Sequence, residues 1–508
     1  MLSDIRVRFA PSPTGPLHIG GVRTALYNYL FARRNNGKCI LRIEDTDQTR
    51  LVTGAEQYII DSLNWCGIRF DEGVREGGPF APYRQSERKN IYRQYADKLI
   101  QSGHAYYAFD TPEELENLRK TFESKKETFQ YDSKTRKSLR NSLSLPQEET
   151  HKLINNGTPY VIRILIPENE QVILNDLIRG EVKVDTSQLD DKVLFKADGL
   201  PTYHLANVVD DHLMEITHVI RGEEWLPSAP LHVLLYRYWG WESSMPAFAH
   251  LPLLLKPDGK GKLSKRDGDR LGFPVFPLQW KDPVSGEVSS GYRESGYFPE
   301  AVVNILALLG WNPGTEQELF SMEELAEIFS LEHVGRSGSK FDPEKAKWFN
   351  HKYLVRHSDE EIAKLFIPVL DEKGLNVSED FLIKVCGLVK ERVHFVSELW
   401  DQSWFFFKAP ETYDEQIIKK RWTPEMPGVL NEIIDLLNKT EVFTRDYLEQ
   451  VIKNFIQQKK FNAGQIMNTL RLCMVGASIG PDLFSILGLI GKEKAIKRIR
   501  QAITSIKI

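Results

Sequence analysis

Two short segments of this 508-residue chain combine residue types that can bind phosphate. The first, Pro11 to Gly21, reads PSPTGPLHIGG, and the second, Lys262 to Arg266, reads KLSKR. A histidine such as His18 can donate a hydrogen bond to a phosphoryl oxygen, and glycines let a ligand approach the backbone closely. Taken alone, the first segment would be an ordinary helix entry and the second a solvated loop. Their co-occurrence is what predicts a phosphate-handling site.

The second segment supplies positive charge. Between Lys256 and Arg270 there are six Lys or Arg residues and only three Asp. A lysine placed against charge that develops on a phosphate stabilises the transition state more than the ground state. The glycines at positions 259, 261 and 268 favour a mobile loop. This pattern predicts catalysis by charge stabilisation.

A third block, Leu41 to Asp47, reads LRIEDTD and predicts a strand that ends in clustered carboxylates. Its structural interpretation is a capped helix start, because Asp and Thr are favoured at N-caps. Its functional interpretation is that Glu44 binds an ammonium group. Both interpretations stay open from these residues alone.

Regular elements must position these residues. Ile5 to Phe9 alternates apolar and basic residues, which predicts a strand, and the Pro and Gly residues that follow predict a turn. From Gly20 the spacing of apolar residues predicts a helix. His18 would then lie at a strand–loop–helix junction, where the amide groups of a helix N-terminus attract phosphate.

Composition is that of an ordinary globular protein, with 41% hydrophobic and 27% charged residues. The length predicts about three or four domains. Four cysteines without a CxxC pair predict a reducing, cytoplasmic setting without disulfides. No signal peptide and no membrane span are expected. A net charge of −4 neither favours nor excludes a nucleic acid partner.

The chain alternates strand and helix patterns over residues 1–100, and this theme returns over residues 198–255. Residues 101–197 have a different pattern, which predicts an inserted domain, and residues 346–508 read as successive helices. Ligands of parallel sheets bind at the carboxyl ends of the strands. We therefore expect His18, Asn207, Arg221 and the lysine loop to surround one crevice.

The chain resembles the bacterial glutamyl-tRNA synthetases, in the glutamyl/glutaminyl branch of the class I aminoacyl-tRNA synthetases, over nearly its whole length. The segments Pro11 to Gly21 and KLSKR correspond to the HIGH and KMSKS signatures of class I. Further matching stretches are RIEDTD, YHLANVVDDH, HVIRGEEW, NILALLGWNP, SKFDPEKAKWFNHKYL and LRLCMVGASIGPDLFSILGLIGKEKAIKRI.

The resemblance implies an α/β fold with a Rossmann-type catalytic domain in two halves, 1–100 and 198–255. An acceptor-stem-binding insertion at 101–197 would separate the halves. A stem-contact domain at 256–345 would carry the KLSKR loop, and an all-α anticodon-binding region would occupy 346–508.

The resemblance also implies a two-step reaction. L-glutamate and ATP, which is accompanied by Mg²⁺, would give glutamyl-adenylate and pyrophosphate, and the glutamyl group would then pass to the 3′ end of tRNA(Glu). In this family the first step generally needs bound tRNA. A cytoplasmic monomer without membrane attachment is expected, and whether tRNA(Gln) is also charged stays open.

Site residues follow by position from the resemblance. The glutamate pocket would comprise Arg8, Ala10, Ser12, Glu44, Tyr203, Asn207 and Arg221. The ATP side would comprise Thr14, Gly15, His18, Gly20, Lys262, Ser264 and Lys265, of which His18, Lys262 and Lys265 would be catalytic. A substrate with two carboxylates and one ammonium group needs guanidinium partners and an acid, which this set provides.

Both arginines have structural alternatives. Arg8 could be an exposed strand residue, and Arg221 could form an ion pair with Glu223 or Glu224.

Three features depart from the family pattern. Gly21 occupies the fourth position of the HIGH signature, where the motif has a histidine. Only His18 and Gly20 therefore match the polar and glycine positions of the motif. No cysteine lies between positions 67 and 385, so no zinc and no other resident metal is expected, although some members hold zinc in the insertion. In its place we expect an apolar cluster of Tyr106, Tyr107, Phe109 and Tyr131. Residues 270–295 are an extra segment that suggests an ordered hairpin or loop.

Three alternatives remain. A glutaminyl-tRNA synthetase would share the motifs but would have β-barrels at its C-terminus. A truncated relative that modifies tRNA with glutamate would lack the anticodon-binding region. A non-catalytic RNA-binding paralogue would not need His18, Lys262 and Lys265.

We expect Lys265→Ala to lower kcat for adenylate formation on the order of 10²-fold or more, because a contact to the charge on the α-phosphate is lost. Folding and tRNA binding should be nearly unchanged. Single-turnover aminoacylation measures the effect, and turnover near that of the wild type would show that this lysine has no role in the chemistry.

Overall fold

The structure, a computed structural model, describes residues 4–264 and 267–507. The chain divides into two compact units, Met1–Ala346 and Lys347–Ile508. The predicted site residue Lys265 lies outside the described residues. The finer domain boundaries stay a prediction.

All strands lie in the first unit. In chain order they are β1 (Arg6–Phe9), β2 (Lys38–Leu41), β3 (Glu72–Gly73), β4 (Ala105–Ala108), β5 (Val161–Ile164), β6 (Gln171–Asp176), β7 (Gly180–Asp185), β8 (Val193–Phe195), β9 (His218–Gly222), β10 (Ala247–Leu251), β11 (Leu254–Leu255), β12 (Trp280–Lys281), β13 (Val288–Ser289) and β14 (Ser339–Lys340). No strand is found in the described residues of the second unit.

The helices, again in chain order, are α1 (Ile19–Arg34), α2 (Ala55–Trp65), α3 (Lys89–Gln101), α4 (Pro112–Ser124), α5 (Gln147–Asn155), α6 (Tyr203–Leu213), α7 (Ala229–Tyr238), α8 (Gly268–Leu271), α9 (Pro299–Leu308), α10 (Met322–Ile328), α11 (Pro343–Arg356), α12 (Asp359–Glu372), α13 (Glu379–Val389), α14 (Leu399–Phe407), α15 (Glu415–Arg421), α16 (Met426–Lys439), α17 (Arg445–Gln458), α18 (Ala463–Val475), α19 (Leu483–Ile490) and α20 (Lys492–Ser505).

The first unit is organised around a seven-stranded sheet with the order β3-β2-β1-β9-β10-β6-β7. Every neighbouring pair is parallel except β6 with β7. The central strands are buried because helices cover a parallel sheet on its faces. The predicted α/β class is confirmed, and so is the helical C-terminal region. In the described residues from 347 to 507, every regular element is a helix.

The hairpin of β6 and β7 extends the central sheet, although the sequence analysis assigned it to the insertion. Its alternating pattern correctly predicts strands, with Val172, Leu174 and Asp176 buried. The pairing partner is β10, where Asp176 lies opposite Phe248 and the N–H of Leu177 donates to the carbonyl of Phe248 at 2.8 Å. Alternation indicates a strand but does not identify the neighbour of that strand.

The predicted cluster of four aromatic residues forms only in part. Tyr106 and Tyr131 pack together with ring centroids 6.4 Å apart. Tyr107 and Phe109 instead contact Tyr160, at 4.9 and 6.2 Å between centroids. The physical reason is that successive residues of β4 point to opposite faces of the three-stranded sheet β4-β5-β8.

The core of this small sheet is hydrogen-bonded as well as apolar. Buried Asp191 accepts hydrogen bonds from the Tyr106 hydroxyl at 2.7 Å, from Arg136 at 3.1 Å and from the backbone of Ile166 at 3.0 Å. The guanidinium of Arg163 lies 3.8 Å from the ring centroid of Tyr131. The aromatic rings therefore pack around a buried network of hydrogen bonds centred on Asp191.

In the described part of the chain, no group of three or more His, Cys, Asp or Glu side chains is placed to hold a metal ion. The expected lack of zinc stays a prediction. All four cysteines are buried and free. Among the helices that the structure describes, none has both the length and the apolar character needed to cross a membrane.

The extra segment at 270–295 forms an ordered hairpin, as expected. Its strands β12 and β13 pair in antiparallel fashion, and Phe276 and Leu278 before them are buried. The carbonyl of Val275 accepts a hydrogen bond from the N–H of Ile19 at 2.9 Å. The N–H groups in the first turn of a helix have no intrahelical acceptor. The segment supplies one for the N–H of Ile19.

We expect Asp191→Asn to lower the free energy of unfolding by about 2 kcal/mol, because buried Arg136 and the Tyr106 hydroxyl lose a charged acceptor and Arg136 keeps only the more exposed Glu168. Urea denaturation measures the change. The neighbouring Asp190→Asn is the control, since Asp190 is partly exposed and pairs with the half-exposed Lys192; such surface pairs contribute about 0–1 kcal/mol. Equal losses in the two variants would contradict the structural role of Asp191.

Candidate active site

A cavity of about 410 Å³ lies in the first unit, at the carboxyl ends of β1 and β9 and beside the N-terminus of α1. This is the position at which parallel α/β sheets bind ligands. The structure brings most of the predicted site residues to its walls: Arg8, Ala10, Ser12, Thr14, Gly15, His18, Gly20, Glu44, Tyr203, Asn207, Arg221 and Lys262. The predicted single crevice is therefore present.

Ser264 is not among the residues that line this cavity. Its N–H and its hydroxyl both donate to Asp267, at 2.9 and 2.5 Å. Asp267 also pairs with Lys256 at 3.0 Å. Earlier in the chain, Gly259 and Gly261 adopt positive φ angles of 74° and 88° in a tight turn. The glycines of the loop therefore serve a turn that presents Lys262.

His18 caps the N-terminus of α1. Its Nδ1 accepts a hydrogen bond from the N–H of Gly20 at 2.8 Å, so the proton of the neutral ring is on Nε2. A Cβ atom at position 20 would lie 2.4 Å from Cε1 of His18. Gly20 was expected to allow close approach of the nucleotide, but here its missing side chain makes room for the imidazole of His18. The result is an N–H donor held at a helix N-terminus.

Glu44 and Asn207 present hydrogen-bond acceptors to the same cavity. Glu44 Oε1 accepts from Asn207 Nδ2 at 2.9 Å and from Arg42 Nη2 at 3.2 Å. Burial raises the pKa of Glu44, and the neighbouring Arg42 and Arg8 partly offset that effect. Within the described chain, Asn207 Oδ1 is buried without a hydrogen-bond partner. This pair suits a cationic donor such as an ammonium group.

Arg8 is buried and forms a bidentate pair with Asp211, whose two oxygens lie 2.9 and 3.1 Å from Nε and Nη2. The alternative of an exposed strand arginine is therefore wrong. Asp211 also pairs with Arg42 at 2.8 Å. Asp211 was not among the predicted site residues, although its position four residues after Asn207 on α6 places it on the same helix face.

Arg221 is buried and makes three hydrogen bonds, all to neutral groups. Nη1 donates to the Tyr203 hydroxyl at 2.7 Å, Nε to His250 Nε2 at 3.0 Å and Nη2 to the carbonyl of Trp225 at 3.3 Å. In the described residues Arg221 forms no ion pair. A guanidinium that lines a cavity without an anionic partner is costly unless a ligand supplies one.

The alternative that Glu223 or Glu224 holds Arg221 is wrong. Glu223 pairs with Arg179, and Glu224 pairs with Lys262 at 2.8 Å. Glu224 also lines the cavity, and sequence reasoning missed it as a partner of the lysine motif. A phosphate group that binds Lys262 would therefore compete with this carboxylate.

Two histidines lie behind Tyr203. Their nearest ring nitrogens, His204 Nδ1 and His232 Nε2, are 3.3 Å apart. Burial lowers the pKa of His204 to about 4, and the positive charges of Lys192 and Arg221 add to this effect. Burial and the charge of Arg221 hold the pKa of His232 well below its usual range. Both rings are therefore neutral near pH 7.

Two families match the chain. Residues 4–348 match the catalytic domain of the class I tRNA synthetases (E and Q), and residues 361–503 match an anticodon-binding domain.

Similar proteins include the glutamate–tRNA ligase of Parabacteroides distasonis, which is 60% identical over 504 residues. That match covers 99% of this chain and 99% of the relative. That of Porphyromonas gingivalis is 60% identical over 500 residues, or 98% of each chain. Among solved structures, a glutamate–tRNA ligase from Elizabethkingia meningosepticum in complex with its amino acid is 51% identical with a TM-score of 0.96. The match covers 99% of this chain and 100% of that one.

We expect the unfolding free energy to fall as the pH is lowered from 7 to 5. The unfolded chain protonates His204 near pH 6.5, whereas the folded chain does so near pH 4. Between these values the unfolded state binds more protons, so acid favours unfolding. His204 alone should account for about 1–2 kcal/mol at pH 5.

Urea denaturation at pH 7 and pH 5 measures this loss, and His204→Asn should reduce it. The control is His151→Asn, because His151 is exposed and lies outside the cavity. A pH-dependent loss that is equal in wild type and His204→Asn would contradict the prediction.

Proposed function

The chain is a class I aminoacyl-tRNA synthetase of the glutamyl and glutaminyl (E and Q) family, and on this premise we propose that it attaches L-glutamate to tRNA(Glu) through a glutamyl-adenylate. The observation that carries this proposal is Arg221. Its buried guanidinium borders the cavity and has only neutral hydrogen-bond partners in the described chain.

Glutamate supplies the charges that the pocket lacks. The side-chain carboxylate would bind Arg221 and the Tyr203 hydroxyl, which already lies 2.7 Å from Nη1. The ammonium group would donate to Glu44 and to the unpaired Oδ1 of Asn207. Arg8, whose Nε and Nη2 are held by Asp211, would offer its remaining nitrogen, and Ala10 and Ser12 would complete the wall.

ATP, as its Mg²⁺ complex, would bind on the α1 side of the cavity. Thr14, Gly15 and Gly20 line that side together with His18, whose Nε2–H would donate to a phosphoryl oxygen. Lys262, released from Glu224, and Lys265 would stabilise the charge on the α-phosphate. Ser264, bonded to Asp267, would hold the loop in shape.

The chemistry then needs no protein nucleophile. The α-carboxylate of glutamate attacks the α-phosphorus of ATP, and the bond to pyrophosphate breaks. A terminal ribose hydroxyl of tRNA next attacks the carbonyl carbon of the adenylate, and AMP leaves. The residues of the site contribute position and charge stabilisation, as in other phosphoryl-type transfers.

The partner tRNA would contact several parts of the chain. We assign the acceptor stem to residues 101–197, the stem contacts to 256–345 and the anticodon to 346–508, where the anticodon-binding match supports the last assignment. The four buried, free cysteines fit a reducing cytoplasm. A monomer contains every residue of the proposed site.

The glutaminyl alternative is not favoured. The relatives at 60% identity are named glutamate–tRNA ligases, and the described residues of the second unit form no strand that could belong to a β-barrel. A non-catalytic RNA-binding paralogue would not be expected to keep His18 and Lys262 on the walls of one cavity. ATP–pyrophosphate exchange in the presence of tRNA distinguishes an enzyme from such a paralogue.

We expect Arg221→Ala to raise the KM for glutamate by about 10²-fold or more and to narrow the preference for glutamate over glutamine, because a charge-assisted bidentate contact is lost. Aminoacylation of purified tRNA(Glu) at varied glutamate and glutamine concentrations measures both effects.

Arg237→Ala is the matched control, since Arg237 lies on α7 outside the cavity and pairs with Glu170. An Arg221→Ala variant that keeps its KM for glutamate and only unfolds at a lower temperature would show that Arg221 is structural.

A further inference from the structure

Arg221 is the end of a hydrogen-bonded chain of three side chains from three adjacent strands. Arg221 on β9 lies opposite His250 on β10 in the register of the sheet, and its Nε is 3.0 Å from His250 Nε2. The other ring nitrogen of His250, Nδ1, is 2.6 Å from Asp176 Oδ2 on β6. His250 and Asp176 are buried and do not line the cavity.

The contacts determine where the proton of His250 lies. Arginine is a donor only, so Nε2 must accept from it and carries no hydrogen. The ring proton is therefore on Nδ1 and is donated to the carboxylate of Asp176. Burial lowers the pKa of His250 although the hydrogen bond to Asp176 opposes that effect, so the ring is neutral.

The backbone fixes the carboxylate of Asp176. Its Oδ1 accepts from the N–H groups of Arg179 at 2.8 Å, Ile178 at 3.0 Å and His250 at 3.3 Å. Only Oδ2 is left for the imidazole. The turn between β6 and β7 therefore selects one tautomer of His250, and that tautomer offers a lone pair to Arg221.

We propose that Asp176 and His250 are positioning residues for substrate selection, which orient Arg221 toward the side-chain carboxylate of glutamate while leaving its charge unneutralised. This inference rests on the proposed function. A carboxylate in direct contact with Arg221 would orient it equally well but would balance its charge and repel an anionic substrate. The interposed neutral imidazole avoids this, as do the other two partners, a hydroxyl and a carbonyl.

The substitution Asp176→Asn tests the inference with almost no change in shape. The three backbone N–H groups require an oxygen at the Oδ1 position, so the new NH₂ group must face His250 Nδ1. That nitrogen then has to accept, and the ring proton moves to Nε2, where it opposes the N–H of Arg221. A comparable change of tautomer abolishes the function of a histidine in other enzymes.

We expect Asp176→Asn to raise the KM for glutamate by roughly 10-fold or more, with the KM for ATP and kcat at saturating glutamate within about threefold of wild type. Aminoacylation of tRNA(Glu) by the full-length protein measures all three, and thermal unfolding is followed in parallel. Asp191→Asn is the matched control, because Asp191 is also a buried, hydrogen-bonded carboxylate of the 101–197 segment but contacts no cavity residue. It should lower the unfolding temperature without changing the KM for glutamate.

A second variant separates tautomer selection from general damage. His250→Ala removes the imidazole through which Asp176 acts on Arg221. In this background, adding Asp176→Asn should change the KM for glutamate by less than about twofold, since the two effects are not additive when residues act through one another.

The experiments distinguish failure of the proposed function from failure of the proposed role of Asp176. A wild-type protein that does not charge tRNA(Glu) with glutamate would refute the proposed function. A wild-type protein that charges it, with Asp176→Asn leaving the KM for glutamate unchanged, or raising the KM for ATP equally, would overturn the role of Asp176. Full additivity of the two substitutions would overturn it as well.

Discussion

The constraint on which the site depends is the pairing of buried charges beneath the cavity. Three arginines and three carboxylates form one network, in which Asp211 binds Arg8 and Arg42 and Asp210 binds Arg88. Glu44 completes the set through Arg42 at 3.2 Å. Because removing one member of a buried pair leaves an uncompensated charge that costs about 3–5 kcal/mol, each side chain fixes the others. The network thereby holds Arg8 and Glu44 in place before any substrate arrives.

Arg221 differs from the arginines of this network because no carboxylate of the described residues pairs with it. The network contains equal numbers of opposite charges, whereas the hydrogen bonds of Arg221 go only to neutral groups. The neutral histidines His204 and His232 add no further positive charge next to it near pH 7. The charges around Arg8 and Glu44 are thus balanced within the protein, whereas the positive charge of Arg221 is available to an anion. The selectivity for glutamate that we propose rests on the separation of these two environments and needs few contacts.

Most residues on the cavity walls were predicted, in part through the family resemblance, whereas the side chains that hold them in place were missed. The strand–loop–helix junction around His18 could be predicted because its turn, cap and helix are contiguous. The partners Asp211 for Arg8 and Asp176 for His250 are 203 and 74 residues away along the chain. No pattern in one sequence specifies which strands become neighbours, which is also why the pairing of β6 with β10 was not predicted. The aromatic cluster failed for a smaller reason, namely that a strand alternates its faces.

The order of strands in the central sheet has a consequence for how the protein is made. β1 emerges from the ribosome well before β9, which is one of its two neighbours, and the sheet is not continuous until β10 follows at Ala247–Leu251. At translation rates of about 5–20 residues per second, the first strands wait on the order of ten seconds or more for their partners. During that interval an apolar strand edge is unprotected. The nascent chain therefore has a window of vulnerability to aggregation that the finished molecule does not share.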